Sequence, residues 1–140
     1  MQITRQADYA IRTILYISRL APDQRASTRQ IAQEQSIPPM FLAKIVSQLS
    51  VAGLLQTARG AHGGVMLAKP ASQINLLEVV EAIDGPILLN ECVVEEHACK
   101  LADNCPLQTI WCDAQQELAQ RLRGITFDSF VKPDGIRKIP

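Results

Sequence analysis

"ASTRQIAQEQSIPPMFLAKIVSQLSVAGLLQTARGAHGGVMLAKP" runs from Ala26 to Pro70, and the fold turns on its reading. Ser27 followed by Gln30 has the spacing of a capping box and opens a short helix through Gln35. Ser36-Ile37-Pro38-Pro39 makes the turn. A proline at a helix start is tolerated because its missing N–H would have been unpaired there anyway. A longer helix is expected from Pro39 to Ala52, stopped by Gly53. Phe41, Leu42, Ile45, Val46 and Leu49 are expected to face inward, and Lys44, Ser47 and Gln48 outward, with Met40 near the start. Short helix, tight turn and longer helix form the arrangement that fills a major groove. An ordinary helical hairpin with a wet polar face shares this pattern, so the next stretch matters. Leu54–Ala58 and Val65–Ala68 are apolar-rich runs separated by Arg59-Gly60-Ala61-His62-Gly63-Gly64. The glycines permit positive φ and a tight hairpin tip. A basic residue at such a tip can enter a minor groove, where flanking phosphates concentrate negative potential. Arg59 is the candidate, with His62 as accessory. A plain hairpin with a solvated Arg59 is the alternative, less favoured after a helix-turn-helix.

The chain has 140 residues, 47% of them hydrophobic, which suits one domain or two coupled modules with a real core. No apolar run approaches the roughly 20 residues of a membrane span, and the polar N-terminus does not resemble a secretory signal. A cytoplasmic protein is expected. The formal net charge is zero, but the average conceals a division. Residues 1–69 hold eight Lys/Arg against three Asp/Glu, a net of +5, and residues 70–140 hold six against eleven, a net of −5. Such a division suggests that the front meets a polyanion, and Arg29, Lys44 and Arg59 are the cations placed to do so, with Ser47 and Gln48 as base readers.

Thr4 can cap a first helix through about Leu20, with Tyr9, Ile11, Ile14, Leu15, Ile17 and Ser18 on one side. Ile74–Ile83 reads as an amphipathic helix stopped by Asp84-Gly85-Pro86. Pro106 begins a helix reaching about Arg123, with Leu107, Ile110, Trp111, Ala114, Leu118 and Leu122 at three- and four-residue steps. So narrow a seam suits a second helix, most simply its twin in a two-fold dimer. Two recognition helices would then read half-sites of a palindrome about one DNA turn apart.

All four cysteines, Cys92, Cys99, Cys105 and Cys112, lie within 21 residues, separated by six, five and six. The paired spacing of most structural zinc sites is absent. Glu91, Glu95, Glu96 and Asp103 surround them, and this acidic setting disfavours thiolates unless a cation is present. Cys105 precedes Pro106 and so stands at a helix N-cap, where the dipole favours negative charge. Cys112 is two turns further on, about 10 Å along the axis, too far for a small cluster that Cys92, Cys99 and Cys105 can reach. A disulfide or thiol switch, or bound zinc, remains the alternative. No phosphate loop, nucleophile elbow or useful His–carboxylate pair marks an enzyme, and the wing and charge division argue against an electron carrier.

"TRQADYAIRTILYIS" (Thr4–Ser18), the segment Ile31–Pro70, "INLLEVVEAIDGP" (Ile74–Pro86) and "ITFDSF" (Ile125–Phe130) resemble the bacterial winged-helix regulators that include IscR, NsrR and CymR. The resemblance covers Met1 to about Val131. It implies a mainly α fold with a small β-wing, in which residues 1–75 form the winged helix-turn-helix and residues 76–140 the cluster loop and dimerisation helix. It also implies a dimer on palindromic operator DNA and, in many members, an iron–sulfur cluster, either 2Fe–2S or 4Fe–4S. Cys92, Cys99 and Cys105 match the three-cysteine pattern of cluster-binding members. The histidine that follows the third cysteine in IscR-like members is replaced here by Pro106-Leu107-Gln108. Asp8 stands where NsrR-like members place an acidic ligand from the partner subunit. It suits a helix first turn equally well, and His97 and Cys112 are the other ligand candidates. A non-thiolate ligand suits a sensor of nitric oxide, redox state or iron. The function implied is a cluster-controlled transcriptional repressor, the alternative being a cluster-free, thiol- or zinc-dependent regulator.

Overall fold

The computed structural model describes residues 2–90 and 104–131. The architecture is mainly α with a small two-stranded antiparallel wing. Helix α1 covers Arg5–Ser18, α2 Thr28–Gln35 and α3 Pro39–Val51. Strands β1 (Leu55–Ala58) and β2 (Gly64–Leu67) follow, then α4 (Leu76–Asp84) and α5 (Pro106–Arg123).

The helix starts follow local chemistry. The Thr4 hydroxyl accepts from the Ala7 N–H at 3.1 Å, and the Ser27 hydroxyl from the Gln30 N–H at 3.1 Å, each satisfying an orphan donor of the first turn. Asn75 and Glu78 form a full reciprocal capping box, with bonds of 2.9 and 3.1 Å. Helix α4 therefore begins at Leu76, not at Ile74 as the apolar spacing suggests. Helix α3 ends in a Schellman motif: the Leu54 N–H donates to the Leu49 carbonyl at 2.9 Å and the Gly53 N–H to the Ser50 carbonyl at 3.0 Å. That closure requires Gly53 at φ +79°, a conformation glycine adopts without a Cβ clash.

One buried cluster joins the elements. Ala10, Ile14 and Ile17 of α1 meet Ile31 of α2, Leu42, Ile45, Val46 and Leu49 of α3, Leu55 and Val65 of the wing, and Val79 of α4. Ala7, Ala10 and Thr13 are completely enclosed, which brings the α1 backbone close to its neighbours. The Thr13 hydroxyl is satisfied by the Tyr9 carbonyl at 2.8 Å. At the edge of α1, the Tyr16 phenol is held above its ordinary pKa, first by desolvation and then by the neighbouring Glu34 carboxylate.

The chain after α5 returns to this core. The Leu76 N–H donates to the Ile125 carbonyl at 2.9 Å and the Phe127 N–H to the Ile74 carbonyl at 3.1 Å. This short bridge drives Phe127 into the centre beside Ile74, both buried. Helix α5 has no buried residue, and Leu107, Ile110 and Trp111 stand exposed. No described helix is long and apolar enough to cross a membrane.

Phe41 departs from expectation. It is exposed rather than inward, because Leu42, Ile45, Val46 and Leu49 already define the buried face of α3, one helical step away. Its ring instead lies at the helix edge, 6.4 Å from that of Tyr9.

Phe127→Ala is expected to cost about 3–5 kcal/mol of stability, measured as a lower urea midpoint. A loss below about 1 kcal/mol would be incompatible with its place in the core.

Candidate nucleic-acid interface and cysteine site

The wing is held to the helix-turn-helix by backbone bonds. β1 and β2 pair in register from Leu55 opposite Leu67 to Ala58 opposite Gly64. Val65 then exchanges bonds with Ala26, its N–H donating at 2.7 Å and its carbonyl accepting at 3.2 Å. Ala26 immediately precedes the Ser27 cap of α2, so hairpin and short helix share an anchor. Gly64 sits at φ +143°, and a Cβ there would come within 2.8 Å of the Ala26 carbonyl. A Cβ on Gly63 would collide with the Ala58 backbone. The tip is thus built by close backbone approach, leaving Arg59 and His62 exposed.

On α3, Met40, Ala43, Lys44, Ser47 and Val51 are exposed. Their spacing of three and four residues sets them in one outward stripe. Lys44 and Ser47 stand where expected. Gln48 does not face out fully: it is half-buried, and its Oε1 is enclosed without a hydrogen-bond partner. A buried unpaired amide oxygen is costly, and at the margin of the stripe it is less available to a base edge than Ser47. Arg29 is exposed in the first turn of α2. It lines a 520 Å³ cleft between α2 and α3, together with Thr28, Gln33 and Pro39. Arg25, exposed next to the wing anchor, adds a cation that sequence spacing did not single out. The signal was present in the charge division, but the Ala26–Val65 contact that places it is long-range.

The cysteine site is described in part. Cys92, Cys99 and His97 lie outside the described residues. Cys105 is the N-cap residue of α5, half-buried, a free thiol that makes no capping bond. Cys112 is also a free, half-buried thiol, seven residues further along α5. Asp8 lies in the first turn of α1 and pairs with Arg12 at 2.6 Å, both side chains nearly half exposed, an ion pair of small energetic weight. Thr4 bonds the Asp84 carboxylate through both its N–H and its hydroxyl. The start of α1 is therefore tied to the end of α4, where the chain departs toward the cysteines. Leu89 N–H donates to Gln115 Oε1 at 2.9 Å, laying that departing chain against α5. Among the described residues no three His, Cys, Asp or Glu side chains converge. Cys105 and Asp8 are both partly accessible and carry metal-donor atoms, a thiol and a carboxylate.

Comparison with known proteins matches residues 3–133 to the model of Rrf2, described as an iron-dependent transcriptional regulator. The chain belongs to the Rrf2 family. It is 35% identical over 133 residues to protein aau3 of Rhizobium meliloti, covering 94% of this chain and 86% of that one. It is 31% identical to the HTH-type transcriptional regulator NsrR of Shouchella clausii, covering 99% and 95%. The solved structure of CymR, the global cysteine regulator of B. subtilis, superposes with a TM-score of 0.77 at 21% identity, covering 94% and 96%, which establishes the shared fold. As an Rrf2 protein, the chain is a DNA-binding transcriptional regulator.

Arg59→Ala is expected to weaken binding to operator DNA and to reduce the salt dependence of log K by about 1, the signature of one lost phosphate contact. The oligomeric state should stay as it was. Unchanged affinity in a fluorescence-anisotropy titration would remove the wing tip from the interface.

Proposed function

We propose that the chain is a homodimeric repressor whose affinity for palindromic operator DNA is set by an iron–sulfur cluster. In this reading residues 1–75 grip DNA, and residues 76–140 hold the cluster and the partner protomer. The observation that carries it is the exposed stripe of α3 standing beside a basic wing on one shared core. Family membership supports the iron dependence. The exposed apolar residues of α5 support a dimer, since an 18-residue helix with no buried side chain leaves a costly apolar strip in water.

Cys92, Cys99 and Cys105 would hold the cluster, with Asp8 of the partner subunit as fourth ligand and His97 and Cys112 as its rivals. When bound, the cluster supplies a centre open to nitric oxide, oxygen or loss of iron. The protein's part is mechanical and electrostatic. Asp8 would have to leave its Arg12 pair to serve as a ligand, while Thr4 and Asp84 keep the first turn of α1 in step with the end of α4. A shift there reaches α3 through the core of α1 and alters the spacing of two DNA-reading heads. A coupling of about 1–3 kcal/mol changes affinity roughly 5- to 150-fold.

Protein purified without air should be coloured, contain acid-labile sulfide and shift operator DNA. Cys105→Ser should lose the colour together with regulated binding, and Asp8→Ala should weaken cluster retention. A colourless protein that binds its operator at full strength overturns the cluster. If binding then responds to thiol oxidation or zinc, the free Cys105 and Cys112 thiols carry the regulation instead.

A further inference from the structure

We infer that α3 reads thymine methyl groups, with Met40 and Ala43 as its apolar readers. Met40 is 86% exposed and nothing in the protomer covers it. It occupies the second position of α3, and the first turns of a recognition helix are the ones that contact base edges. Ala43 lies three residues on, and Lys44 and Ser47 complete the same outward stripe. The stripe therefore mixes apolar and polar residues and holds no Arg, Asn or Gln. Arg29 and Arg59 stand on α2 and on the wing, and Gln48 turns its amide oxygen inward. With no Arg, Asn or Gln fork on the exposed face, Lys44 is the one member of the stripe able to address a guanine edge bidentately, and an adenine edge has no bidentate partner there. The apolar feature a major groove does offer is the C5-methyl of thymine. A methionine side chain, unbranched and polarisable, follows its contour without a demanding geometry. Ser47 accepts or donates to a neighbouring edge, and Lys44 neutralises phosphate. Each half-site is thus recognised through thymines placed under the start of α3.

This inference rests on the reading of α3 as the helix that enters the major groove. The test uses the full-length protein and a duplex selected from a random pool. Each thymine is replaced in turn by uracil, which keeps the base pair and the O4 acceptor and removes only the methyl group. Burying one methyl group corresponds to roughly fourfold in affinity. Wild-type binding should fall roughly fourfold at one or two thymines per half-site and roughly fifteenfold when both half-sites are altered together. Met40→Ser should bind thymine and uracil duplexes equally at the position it reads, and Ala43→Ser at its own. Equal wild-type affinity for every uracil duplex overturns the inference. If Lys44→Ala weakens binding in that case, α3 still enters the groove and only the methyl readout is wrong. If Lys44→Ala and Ser47→Ala are also without effect, the groove reading fails with it. A change in the oligomeric state of Met40→Ser with intact discrimination would assign Met40 to a protein contact and overturn its role.

Discussion

The backbone bridge between residues 74–76 and 125–127 organises everything behind the DNA-binding head. Two hydrogen bonds of 2.9 and 3.1 Å are a small energetic sum, about 1 kcal/mol each. Their effect is geometric. They place the start of α4 and the end of α5 at one point, beside the buried Phe127. From that point α4 extends nine residues and α5 eighteen, about 13 and 27 Å at 1.5 Å per residue. The outer ends of two helices of unequal length, Asp84 and Pro106, thereby point away from that junction. Cys105, at the outer end of α5, stands well beyond the reach of the core.

That geometry also explains why α5 can expose Leu107, Ile110 and Trp111. The fold is complete without α5: the buried cluster takes residues from α1 to α4, the wing and Phe127, and none from α5. The helix is anchored at its end by the bridge and along part of its length by α4. Its apolar strip stays outside the buried cluster, which α1 to α4, the wing and Phe127 complete.

Much of the fold was legible because its punctuation is local. Thr4, Ser27, Pro39, Pro106 and Gly53 mark helix ends by chemistry confined to one turn, and the boundaries they imply hold to within about two residues. The glycines between Arg59 and Val65 marked the wing for the same reason. What could not be read depends on partners distant in sequence. Whether Phe41 or Gln48 turns inward is decided by a few tens of degrees of helix rotation, set by α1 and the rest of the core. The burial of Ala7 and Ala10 needs the close approach of other helices. Ile74 reads as a helical residue until Phe127 and Ile125 pair with its neighbourhood. Arg25 gains its position only through the Ala26–Val65 exchange. The candidate site divides the same way: Lys44, Ser47, Arg59 and His62 are exposed as their spacing implied, and Gln48 is not. Of the cysteine donors, Cys105 stands at the predicted helix start, and Cys92 and Cys99 lie outside the described residues.

The opposite charges of the two halves follow from this arrangement. Arg25, Arg29, Lys44 and Arg59 lie in the head, exposed and with little local acid to neutralise them, so counterion release can drive its binding to a duplex. The acidic rear would be repelled by the same duplex, which discourages docking in any other orientation. Thr4 and Asp84 join the two halves. Their bonds connect the residue that caps α1 with the residue that ends α4, so a displacement at the cysteine end of α4 meets the first turn of α1 directly. On its inner face Ala7, Ala10 and Thr13 are completely enclosed, and so close-packed a face resists local repacking. A tightly packed α1 thus links the Thr4–Asp84 contact to the core that carries α3 and the wing.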